Sequence, residues 1–212
     1  MSGEEFFMWY NTEATCEEKT LCKKIMDEFS DNFNDMLFRP GTASGALLLY
    51  ETDNLDGTVC EMHNAAPDEL ESFNYESIRM KVTKLDDCRG YYDEEKKLLC
   101  ISSDYLSDDS VILHEMIHLH ENVLNELPMY FHDSLFWALY SDLKGKLVDL
   151  DEAIREHAHI LHEHSLYKRG GNHDITFLLK SLDLDIRMGY PLGRVFGYGM
   201  EDKLRDLKRL DQ

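Results

Sequence analysis

The stretch VILHEMIHLHE, residues 111–121, sets three histidines and two glutamates among apolar residues. His114 and His118 are four residues apart, so on an α-helix they stack on one face, one turn from each other. Two imidazoles in that arrangement can reach one Zn²⁺ at about 2.0–2.1 Å. Glu115 follows the first histidine, which places it beside a metal rather than among its ligands. There it can accept a proton from metal-bound water, the role that an H-E-x-x-H pattern gives its glutamate in metalloproteases. Val111, Ile112, Leu113, Met116, Ile117 and Leu119 are apolar enough to bury such a helix on most sides. Unpaired polar groups inside it would be costly, and a metal ion relieves that cost.

A catalytic zinc takes three protein ligands and keeps one position for water. His120 lies roughly 200° round the helix from His118 and faces away. An extended H-E-x-x-H-x-x-G-x-x-H pattern is broken, because Glu121 stands at its glycine and Leu124 at its last histidine. Glu152 or Glu156 could serve from a later helix, as in thermolysin-like enzymes, but neither sits in that family's usual motif. His132 is the best placed: it is expected to open the next helix, after a Pro128 turn that folds it back against the first.

The elements around these residues read as follows. Leu21, Cys22, Ile25, Met26, Phe29, Phe33, Met36 and Leu37 recur at helical spacing over 15–38, and RPG at 39–41 stops that helix. Residues 44–52 read as a buried strand and 77–85 as an alternating one. Residues 90–106 read as a hairpin turning at Asp93, Glu94 and Glu95. SDDS at 107–110 caps a histidine helix over about 109–126. A helix over 132–147, interrupted near Gly145, is followed by one running to Gly170–Gly171 and another over HDITFLLKSLDLDIRMG. YPLGRVFGYGM reads as irregular, and EDKLRDLKRL as a short helix with Leu204, Leu207 and Leu210 on one face. Helix, a few strands, then helices is an α+β pattern. The strand at Leu98–Ser102 offers an edge on which an extended substrate could pair.

Composition narrows the partners. The chain has 212 residues, 43% hydrophobic, with Lys+Arg 22 against Asp+Glu 42 and a formal net charge of −20. Such a balance repels nucleic-acid backbone and anionic membrane surfaces, so DNA binding is not expected and cationic partners are favoured. Residues 51–76 hold eight acidic residues and no Lys or Arg, which reads as a solvated acidic loop. No secretory signal and no membrane-spanning run is visible. Five cysteines without a C-x-x-C pair suit free thiols in a reducing compartment, so a cytoplasmic location is expected.

ILHEMIHLH, followed a short loop later by HDSLF, resembles the SprT-like zinc metallopeptidases, the family that includes the DNA–protein crosslink protease Spartan. The resemblance covers roughly residues 20–147. It implies a zincin-like core over 1–147, with a small, mainly antiparallel sheet packed by helices. Residues 148–212 would then form a helical extension packed on that core. It also implies zinc held by His114, His118 and His132, Glu115 as general base, and Phe136 as a packing aromatic. Two positions depart from the family: Asp133 stands where glycine is usual, and the paired-cysteine zinc ribbon is absent. With this net charge the DNA-dependent role is not carried over.

The expected function is zinc-dependent hydrolysis of peptide bonds in a protein or peptide substrate, a basic one being favoured by the net charge. The alternatives are a toxin, defence or regulatory protein of the same fold acting on one partner, or a binding protein with a structural zinc. Tyr190 and Arg194 are candidates to stabilise an oxyanion, with nothing to select either. His157, His159, His162 and His164 read as a polar helix face.

Overall fold

Thr15 starts α1, Cys16–Lys23, through a capping box. Its hydroxyl accepts the Glu18 N–H at 3.1 Å, and the Glu18 carboxylate accepts the Thr15 N–H at 2.9 Å. In this computed structural model, which describes residues 15–29, 32–33, 79–96, 98–126, 129–163 and 173–210, the helix continues as a π-helical stretch, Lys24–Phe29. Leu21, Ile25, Phe29 and Phe33 are buried, at the four-residue spacing the sequence sets. The expected strand at 44–52 and the acidic run at 51–76 lie outside the described residues.

Three strands follow: β1, Arg79–Thr83; β2, Gly90–Asp93; and β3, Leu98–Ser102. They form one sheet in the order β1-β3-β2. The expectation of a mainly antiparallel sheet is corrected here. β2 and β3 are the antiparallel hairpin, but β1 runs parallel to β3, pairing Met80 with Leu99 and Val82 with Ile101. The sheet is therefore mixed, because β3 inserts between the two strands that precede it. The expected substrate edge at Leu98–Ser102 is corrected with it. β3 carries the most continuous apolar run, with Leu99, Cys100 and Ile101 at 0% exposure, and so takes the centre with a partner on each side. Among the described residues the sheet edges are β1 and β2.

After a short 3-10 turn, Ser103–Tyr105, α2 spans Asp109–Glu126, the range expected from sequence. Asp108 shapes its start, accepting the Ser110 N–H at 3.2 Å and the Ser110 hydroxyl at 2.6 Å. Lys24 Nζ lies 2.6 Å from Asp109 Oδ1 and ties the π-helical stretch to the same end. Val111, Ile112, Leu113, Met116, Ile117 and Leu119 are all buried, and α2 lies against β2 and β3.

The chain divides into two compact units, Met1–Phe131 and His132–Gln212, ahead of the 147/148 boundary expected from sequence. α3 spans Met129–Lys144, so His132 sits within its first turn instead of opening it. It stops before Gly145, as expected. In the second unit α4 spans Leu150–Glu163, α5 Ile175–Met188 and α6 Met200–Lys203. α5 has a clear start and stop. Asp174 accepts the Phe177 N–H at 2.9 Å, and Gly189, at φ 71°, ends the helix in the left-handed conformation.

The closing helix is shorter than the leucine spacing predicts. Beyond Lys203 the chain turns, and Leu147 and Arg209 form an isolated antiparallel bridge. Leu204 is buried while Leu210 is 54% exposed, so the three leucines do not share a buried face. No helix among the described residues is long and apolar enough to cross a membrane.

Candidate metal centre

α2 presents the histidine pair as its spacing requires. The His114 and His118 rings lie 5.1 Å apart between centroids, at 78° to one another. His114 is buried, and the His118 side chain is 16% exposed. Glu121 Oε2 lies 3.7 Å from His118 Nδ1, one turn further along the helix. At that separation the two groups make an electrostatic contact and not a hydrogen bond. Sequence reading met Glu121 only as the residue that broke an extended motif. Its nearness to His118 becomes visible once the helix is formed.

Glu115 is 6% exposed and lies over β2. Burial alone pushes its carboxyl up to about 8. A carboxyl held in so dry a place is a stronger proton acceptor than one in water, while a nearby divalent cation would draw its pKa back down. His120 packs inward, fully buried, its ring edge-on to Phe33 at 5.4 Å. It faces away from the pair, as its position round the helix predicts.

The side chains of His132 and Asp133 lie outside the described residues. Phe136 stacks on Tyr140, at 6.4 Å and 5° between planes, and meets Trp137 edge-on at 5.3 Å, so it is a packing aromatic within α3. Glu152 is 56% exposed on its side chain and pairs with Arg155 at 2.8 Å. With Glu156, His157, Met200 and Lys203 it lines a cavity of about 550 Å³. Tyr190 and Arg194 belong to the loop after α5, where Arg194 Nη1 lies 3.5 Å from Glu201 Oε1.

The expectation that His157 belongs to a polar helix face is corrected. His157 is 5% exposed, its ring meets Phe196 edge-on at 5.1 Å, and burial lowers its pKa. α4 needs an inward face to pack on α5, and position 157 falls on it. His157 Nε2 lies 3.1 Å from the carbonyl oxygen of His173, to which it can only donate. The side chains of His159, His162 and His164 are not among those described.

His173 is the histidine that sequence reading passed over. It offers a ring nitrogen as a metal ligand. Its backbone adopts φ 68°, a left-handed conformation that is uncommon for a residue with a side chain. Its ring is held by Phe177 at 4.6 Å, Tyr198 at 5.0 Å and Phe196 at 5.5 Å. Residues held in such strained conformations cluster at functional sites, where the surroundings over-determine them. The available signal was Asn-His-Asp at 172–174, just ahead of a helix start, which reads as no more than a cap.

The chain matches no protein-family description, no curated protein and no solved structure.

Proposed function

We propose that the protein is a zinc-dependent peptidase of the SprT-like, zincin type, hydrolysing peptide bonds in a protein or peptide substrate. The observation that carries this reading is a helical His114–His118 pair one turn apart, with a buried Glu115 beside it whose carboxyl is pushed up to about 8. A structural zinc has no need of that glutamate, so its burial next to the histidine pair favours catalysis over the binding-protein alternative. His114 and His118 would hold the ion. The third ligand is a histidine: His132, as the family resemblance implies, or His173, which also offers a ring nitrogen.

Bound zinc would polarise the scissile carbonyl and lower the pKa of its water toward about 7. The remaining work falls to the chain's own groups. Glu115 takes the water proton as attack proceeds, then delivers it to the leaving amine. Glu121 lies within electrostatic reach of the His118 ring, 3.7 Å from its Nδ1. The apolar residues of α2 around Glu115 keep its carboxyl in a dry setting, which strengthens proton transfer and charge interactions there.

A peptide-library cleavage assay with zinc-loaded protein tests the proposal, with Glu115→Gln as control. Glutamine is nearly isosteric but cannot take the proton. Cleavage should fall by roughly 10²-fold or more while the fold and metal content hold. Unchanged turnover in Glu115→Gln would remove Glu115 as the base. No cleavage by the unaltered zinc protein would sink the peptidase reading.

A further inference from the structure

β2 passes under α2 without a side chain at one point, Gly90. Gly90 is not one of the glycines with a left-handed backbone, so φ does not explain it. Space does. A Cβ built there would stand 3.0 Å from Glu115 Cγ, 3.1 Å from the Cys100 carbonyl oxygen and 3.1 Å from Ile101 Cδ1. Carbon atoms in favourable contact sit about 3.5–4.0 Å apart, so even a methyl group would press on the glutamate stem.

The helix cannot easily lift to make room. Two residues along the strand, the Tyr92 hydroxyl donates to Asn122 Oδ1 at 3.0 Å, two turns along α2 from Glu115. This second contact holds helix and strand at a set separation. Among the described residues no group hydrogen-bonds the Glu115 carboxyl. Its position therefore depends on what its stem packs against.

We propose that Gly90 is a positioning residue for Glu115: the missing side chain on β2 lets the glutamate stem lie flat against the strand, which aims its carboxyl. The catalytic consequence rests on the peptidase reading above, but the steric coupling does not.

A double-mutant cycle tests it, using Gly90→Ala, Glu115→Ala and the two together. Unfolding midpoints, zinc content and cleavage kinetics are measured for each. Gly90→Ala should lower the unfolding midpoint when Glu115 is present and have little effect in the Glu115→Ala background, with zinc content unchanged in both. In a protein that cleaves peptides, Gly90→Ala should reduce kcat by roughly tenfold with KM little altered. An equal loss of stability in both backgrounds overturns the proposal, because the methyl group would then be crowding Cys100 and Ile101. If Gly90→Ala does not fold alone, recovery of folded protein on adding Glu115→Ala supports the coupling, and failure of both variants overturns it. Coupling without cleavage by the unaltered protein would retire the peptidase reading and leave the positioning role of Gly90 standing.

Discussion

At the scale of single residues, the third metal ligand is what sequence spacing could not supply. The i, i+4 pair on α2 is a local property of the chain, but a third ligand comes from elsewhere and leaves no periodic trace. His132 and His173 are separable by metal content. His114→Ala and His118→Ala should each abolish tight zinc binding, measured by elemental analysis of freshly purified protein. If His173 is the third ligand, His173→Ala should lower zinc to a similar extent and His132→Ala should leave about one ion per chain. The reverse pattern would restore the ligand set that the family resemblance implies. Loss of zinc on Glu152→Ala or Glu156→Ala, with both histidines dispensable, would overturn both assignments.

At the scale of elements, the junction between α5 and the loop after it is tightly constrained. Asp185 is fully buried, and its carboxylate accepts the Gly193 N–H at 2.7 Å and the Val195 N–H at 2.9 Å. Arg209 reaches the same place, donating to the backbone oxygens of Tyr190 and Asp185. Gly193 has φ 91°, and a Cβ there would stand 2.6 Å from the Glu201 nitrogen, so only glycine fits. Burial outweighs these hydrogen bonds and the Arg209 charge, and raises the Asp185 pKa from 3.8 to about 7. The sign follows from linkage: the folded protein holds this proton more tightly than the unfolded chain does. Stability from this group is full below about pH 4 and is lost as pH rises toward about 7, by an amount on the order of a few kcal/mol. Thermal midpoints measured across that window should fall with rising pH, and Asp185→Asn should flatten the slope. A slope unchanged by the substitution would show that another group is titrating.

At the scale of the whole chain, charge argues about partners. The net charge is −20, and of the modest basic concentration near the C-terminus, Lys203, Arg205, Lys208 and Arg209, the two arginines already have partners. Arg205 pairs with Asp202, and Arg209 is occupied with backbone oxygens. A DNA-guided enzyme needs Lys and Arg arranged to neutralise phosphates, with affinity that falls steeply as salt rises. Titration of single- and double-stranded DNA at low salt should therefore show neither salt-sensitive binding nor stimulated cleavage, while basic polypeptides should be preferred over acidic ones. Tight, salt-dependent DNA binding would bring back the Spartan-like role.

What the sequence determined alone is what depends on neighbours along the chain. The bounds of α2, the facing of His114 and His118, the turn of His120 away from that pair and the β2–β3 hairpin all follow from periodicity, capping and turn residues within a few positions. Packing over longer separations decided the rest. β3 became the central strand because its apolar run is best buried with a partner on each side, and no local pattern states which strand will lie beside it. His157 became a buried residue because α4 packs on α5, although its neighbours read as polar. Gly90 opens a strand in the sequence with no sign of a steric role, yet a Cβ there would press on a side chain of the helix against that strand. Side-chain spacing is written in the covalent chain; burial and steric room are set only when distant segments meet.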